Sequence, residues 1–225
     1  MIKECDMKNL ISILLLLFST ISCLSQSTRN DDYKLFDIET FNRNKQIVSS
    51  MRDATDTLKL VILETYEFKK EDSLIHMAKY SLVDYYQLTR NKIGGSYKID
   101  YYYYPNYHLK IKKYFFLDRP IGIHETYSEE GELLKKTNYD QMRIEQGYPI
   151  SIFDVAKSMR RDFKINIENE NEILRWELVR DEDLQRVVYK IVCPPKYTGS
   201  GQLRGFIYDA ITGKFIEEYR AHPLR

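Results

Sequence analysis

Residues 97–139, YKIDYYYYPNYHLKIKKYFFLDRPIGIHETYSEEGELLKKTNY, decide the architecture. Aromatic and β-branched residues crowd into short runs, which favours strands over helix. Four strands are expected, at Tyr97 to Tyr104, Leu109 to Leu117, Ile123 to Tyr127 and Leu133 to Tyr139. Turn-forming residues separate them: Pro105-Asn106, Asp118-Arg119-Pro120 and Glu129-Glu130-Gly131. Successive strands with connections this short pair antiparallel, as hairpins. The stretch also echoes itself. Tyr103 to Leu109 aligns without gaps on Tyr127 to Leu133, an offset of 127 − 103 = 24 residues. That spacing lies within the range of repeat architectures.

Gly122-Ile123-His124-Glu125-Thr126-Tyr127, followed by Glu130-Gly131-Glu132-Leu133, resembles the variant MORN repeat, a Gly–aromatic hairpin leading into an Asn-Gly-x-Leu turn. Glu130 stands in place of the Asn, and Tyr107 stands where the preceding turn would carry Gly. The resemblance spans about residues 101–139 and implies one regular repeat beside one degenerate one. Hairpins of this kind bury little alone, so they are expected to lean on neighbouring structure. Such repeats serve as scaffolds for many functions, so the likeness bears on fold more than role.

Upstream, Thr57 to Phe68 carries Leu58, Leu60, Ile62 and Leu63 and reads as a strand. Leu74, Ala78, Leu82, Tyr85 and Leu88 recur at spacings of four, four, three and three. That spacing favours an amphipathic helix capped by Asp72 or Ser73, while the tyrosines equally support strands. Residues 33–45 mix apolar and polar positions and give only a weak assignment.

Downstream, Ser151-Ile152-Phe153-Asp154 has the form of a capping box opening a helix. Ile152, Val155, Ala156, Met159 and Phe163 share one face of that helix. Strands are expected at Ile173 to Val179, Arg186 to Val192, Leu203 to Tyr208 and Phe215 to Tyr219. Gly213 would supply the positive φ of the last hairpin. One helix plus an antiparallel sheet, closing on Tyr208-Asp209-Ala210, Thr212-Gly213-Lys214 and Phe215, is similar to PepSY-like domains of the bacterial envelope. That resemblance implies a binding or peptidase-modulating module rather than an enzyme. The expected class is α+β: mainly antiparallel hairpins with a C-terminal helix-plus-antiparallel-sheet module.

At the N-terminus, Leu10 to Phe18 is apolar except for Ser12. Crossing a membrane as a helix takes about 20 apolar residues, so this shorter run fits the central part of a secretory signal. Lys3 and Lys8 are offset by Glu4 and Asp6, whereas a start at Met7 gives a positive leader. Thr20-Ile21-Ser22-Cys23 resembles a bacterial lipobox, with Thr20 where an aliphatic residue is usual. Two routes stay open: lipidation of Cys23, or ordinary cleavage near Gln26 with a soluble secreted product. The organisation expected is a signal peptide over 1–22, a polar tether over 23–32, a β-rich region with MORN-like hairpins over 33–140, and a PepSY-like region over 150–225.

Composition narrows the partners. Thirty-four basic and thirty-three acidic residues are interspersed, so no basic stripe argues for nucleic acid. Nineteen tyrosines against nine glycines fit cross-strand pairs, ring packed and hydroxyl in water. Cys193 follows a strand-like run and reads as a small buried hydrophobe. His76, His108, His124 and His222 show no metal-ligand spacing, and no cofactor motif is present. His124 and Glu125, adjacent on a strand, would point to opposite faces. Trp176 is expected to anchor its strand in the core. No catalytic set is assigned. These features suggest a non-enzymatic envelope protein, held in the outer membrane or periplasm by a lipid, that binds a protein or peptide. An immunity or antitoxin-type protein and a cell-envelope hydrolase with dispersed acids are the alternatives.

Overall fold

The structure, a computed structural model, describes residues 33–54, 57–80, 85–195 and 202–222, with only the backbone described at 49–54 and 57–62. The signal segment, Cys23 and the tether lie outside the described residues, as do Leu82 and the Gly/Ser loop at 196–201. The fold is mainly antiparallel β, twelve strands in two sheets with three short α-helices among the described residues.

The first sheet is a meander in chain order. Its strands are β1 (Gln46–Ala54), β2 (Thr57–Lys70), β3 (Ser73–Tyr80), β4 (Tyr86–Lys92), β5 (Tyr97–Tyr103), β6 (Leu109–Phe116), β7 (Arg119–Tyr127) and β8 (Leu133–Asn138). β3 and β4 replace the helix expected from Leu74 to Leu88. Apart from Ala78, the buried residues follow period two, with Ser73, Ile75 and Met77 on β3 and Tyr86 and Leu88 on β4. Picking Leu74 and Ala78 out of that run gave a helical spacing to residues on the opposite face. Glu71 takes φ 55 and closes a two-residue turn, so β3 finds ladder partners on both sides that an isolated helix would lack.

The turn expected at Asp118-Arg119-Pro120 is also shorter. Leu117, at φ 52, and Asp118 make it alone, and β7 starts at Arg119. Pro120 is tolerated in the strand because β8 pairs only with Ile123 onward, leaving the outer side of Pro120 without a ladder partner.

The 24-residue echo has a geometric counterpart. Tyr104 N donates to His108 O at 2.9 Å, and Ser128 N to Glu132 O at 2.8 Å. Tyr107 N reaches Tyr104 O at 2.9 Å, and Gly131 N reaches Ser128 O at 3.0 Å. Tyr107 and Gly131, equivalent positions, take φ 69 and φ 86. Each hairpin carries a bulge, next to Tyr103↔Leu109 and Tyr127↔Leu133. The two turns touch, with the Tyr104 hydroxyl donating to Tyr127 O at 2.9 Å.

One face of this sheet is buried, carrying Ile75, Met77, Leu88, Tyr101, Tyr103 and Phe116. At one end it is covered by α1 (Ile38–Asn44), in the stretch the sequence assigned weakly. Asp37 caps α1 by accepting from Thr40 N at 3.0 Å, and Phe41 is buried beside Phe36, which packs on Tyr86 and Tyr103.

β8 leads into α2 (Tyr139–Glu145), and α3 (Ile152–Phe163) follows. The second sheet runs in the order β12 (Phe215–Ala221), β11 (Leu203–Asp209), β10 (Arg186–Cys193), β9 (Arg175–Asp181). At the other end of the first sheet's buried face, Phe116 and Ile121 join Ile152, Val155, Met159, Tyr189 and Phe206 in one core. The Trp176 indole N–H donates to Phe116 O at 3.0 Å, and the Ser96 hydroxyl to Ile167 O at 2.9 Å.

The capping box at α3 is complete: Asp154 N donates to Ser151 Oγ at 3.2 Å and Ser151 N to Asp154 Oδ2 at 3.0 Å. These bonds hold the Asp154 carboxyl below its ordinary pKa. Ser151→Ala is expected to cost about 1 kcal/mol, read from urea unfolding. The Asp154 share is present above the ordinary aspartate pKa and lost as pH falls below it.

Candidate functional site: an exposed tyrosine face and an aromatic cleft

On the other face of the first sheet, the side chains alternate out of the core. Cross-strand neighbours align in rows: Leu74, Asn91 and Lys98; His76, Thr89 and Asp100; Gln87, Tyr102 and Ile111. Apart from Asp100, these positions are not buried. Asp100 accepts from the Thr89 hydroxyl at 2.9 Å. Tyr80, Tyr85 and Tyr102 form a chain of rings, with centroids 6.5 and 5.5 Å apart. Lys113 lies 5.2 Å above the Tyr102 ring and Lys110 lies 5.0 Å above that of Tyr104. Burial pushes the Tyr102 hydroxyl up to about 12, so it stays a neutral donor at physiological pH. Half-exposed rings flanked by lysines and amides give a surface with large contact area and adaptable polar groups.

A second feature lies where the two sheets meet. Ile121, Ile152 and Tyr189, all buried, line a cleft of about 230 Å³ together with Trp176, Leu178 and Pro120. Arg143 and Arg119 line it too, with different duties. Arg143 donates to Tyr148 O and Ile150 O and sits 3.7 Å from the Asp140 carboxylate. The Tyr189 hydroxyl also donates to Ile150 O, at 2.6 Å, and burial pushes its pKa up to about 12.

No protein-family model, curated protein or solved structure matches this chain.

The histidines are not brought together. His76, on β3, lies 3.8 Å from Glu67 on β2, His108 is in a turn, and His222 follows β12. Among the described residues no three His, Cys, Asp or Glu side chains are grouped to hold a metal ion. No described helix is long and apolar enough to cross a membrane. Cys193 is buried in β10. Asp181 is held by Lys190 at 2.9 Å and by Leu184 N, and Glu218 pairs with Arg204 at 2.6 Å. Trp176, expected as a core anchor, is half-buried and packs against the core rather than within it, and its indole N–H ties the two sheets together. The cleft escaped sequence reasoning because its lining runs from Arg119 to Tyr189 with no motif spacing.

His124 and Glu125 point apart. Glu125 faces Lys136 at 3.1 Å and accepts from the Tyr127 hydroxyl at 2.9 Å. His124 Nε2–H donates to Tyr114 O at 2.9 Å, the carbonyl fixing the tautomer, and its ring lies 4.5 Å from that of Tyr139. Burial lowers its pKa, outweighing the Tyr114 bond, and Lys113 pushes the same way. Below its ordinary pKa of about 6.5 the unfolded chain binds more protons than the folded one, so stability falls as pH drops. Wild-type Tm is expected to decline between about pH 7.5 and 5.5. His124→Gln should flatten that slope, which thermal melts at the two pH values would read. The carboxylates with lowered pKa values lose their share as pH falls below their ordinary values of about 4 to 4.5, beneath this window.

Proposed function

We propose that this chain is exported, lipid-anchored at Cys23 in the bacterial envelope, and binds a protein or peptide partner without catalysing a reaction on it. The observation that carries the reading is the tyrosine-lined face of the first sheet: Tyr80, Tyr85 and Tyr102 in ring contact, with Lys113 over the last. Tyrosine offers contact area at small entropic cost, and such residues concentrate in binding patches. The matched turns at 104–108 and 128–132 support reading these hairpins as MORN-like repeats. The core shared by α3, β10 and β11 supports a PepSY-like module. So does the last hairpin, where Asp209 accepts from Thr212 N at 2.8 Å and Gly213 takes φ 69.

Capture with the full chain in its native host tests the binding role. A Tyr80→Ser/Tyr85→Ser variant of unchanged Tm should lose a partner that the wild type retains. Equal recovery, or no partner for either, contradicts the reading. Mass spectrometry of the mature N-terminus tests the anchor: a diacyl or triacyl Cys23 is expected, and a free terminus at Ser27 contradicts it.

A further inference from the structure

The cleft between the sheets has an apolar floor and an exposed cation at its rim. Ile121, Ile152 and Tyr189 form the floor, while Trp176 and Leu178 are half-buried walls. Arg143 is engaged by two carbonyls and Asp140. Arg119 is exposed, and its guanidinium has no hydrogen-bond or ion-pair partner among the described residues. Its neighbour Asp118 turns instead to Lys98, at 3.1 Å. Arg119 pairs across the ladder with Phe116, the residue whose carbonyl accepts the Trp176 indole N–H, so its backbone is held beside the aromatic wall.

We infer that this cleft binds a peptide C-terminus ending in a bulky apolar residue. The volume, about 230 Å³, is below the roughly 300–1,000 Å³ of sites that enclose a drug-sized molecule, so it suits one large side chain. That side chain sits over Ile121, Ile152 and Tyr189 and against the half-buried Trp176 and Leu178, whose remaining apolar surface it removes from water. The carboxylate meets Arg119, whose planar fork matches it with two parallel hydrogen bonds. Counting Arg119, Arg143 and Asp140, the charged lining is net positive, which favours an anion over an amine at this rim. The site is separate from the tyrosine face and does not depend on it.

Trp176 is the one tryptophan in the chain and lines the cleft, so its fluorescence reports occupancy. The test titrates the full chain with an N-acetylated tripeptide ending in phenylalanine, as the free acid and as the C-terminal amide. The acid is expected to shift Trp176 emission in a saturable way and to bind about tenfold more tightly than the amide, the size of one charge-assisted contact. Arg119→Gln, at an exposed position, should abolish the difference between acid and amide while leaving Tm unchanged. Equal binding of acid and amide, discrimination that survives Arg119→Gln, or no saturable change would each overturn the assignment. Tyr80→Ser/Tyr85→Ser should leave this titration unchanged, so the two sites can fail separately.

Discussion

Phe116→Ala is expected to destabilise the protein by about 3–5 kcal/mol, the range for truncating a buried phenylalanine that leaves a cavity. Phe116 is 1% exposed, the end residue of β6, and it meets residues from both parts of the shared core. Its ring lies edge-on to Phe153 at 5.7 Å and to Trp176 at 6.2 Å, and its carbonyl accepts the indole N–H. Removing the ring takes away the surface against which Trp176 is held, so the loss concentrates where the sheets meet. Urea unfolding followed by Trp176 fluorescence and by far-UV circular dichroism checks this. The midpoint should fall, and the fluorescence transition should precede the loss of strand signal. Coincident curves displaced by less than about 1 kcal/mol would mean the joint lies elsewhere.

Phe41→Ala is the second large effect, at the far end of the same face. Phe41 is 0% exposed on a helix of seven residues, too short to be stable by itself. Its ring lies 5.4 Å from Phe36 and 6.2 Å from Tyr86. A loss of about 3 kcal/mol or more is expected. Its distribution should differ from that of Phe116→Ala. Amide exchange should quicken first in α1 and then in β4 and β5, where Tyr86 and Tyr103 lose their cover, while β10 and β11 keep their protection. Uniform acceleration across both sheets would contradict a local lid.

Local chemistry made parts of this fold readable. Ser151 and Asp154 announce a helix start because a capping box is completed within four residues. Gly213 announces a hairpin because few residues tolerate its φ of 69. Residues 74–88 were not readable in this way, since the same residues satisfy a spacing of three or four and a spacing of two. Only the ladders supplied by β2 and β5 decide between them. Tyrosine was ambiguous for a related reason. Tyr102 behaves as expected, half-exposed on the outer face, but Tyr101, Tyr103, Tyr189 and Tyr208 are buried. Which side of the sheet a tyrosine joins depends on register, and register is a property of the pairing. The cleft was illegible altogether: Arg119 and Trp176 become neighbours only through the core around Phe116.

The most direct test of partner binding through the tyrosine face is site-specific photo-crosslinking in the native host. A benzophenone amino acid would replace Tyr85 in one strain and Lys157, exposed on α3, in another. A protein-binding face should give one discrete adduct from position 85, reduced by Tyr80→Ser, and none from position 157. The absence of any adduct at 85, or the same adducts from both positions, would contradict it.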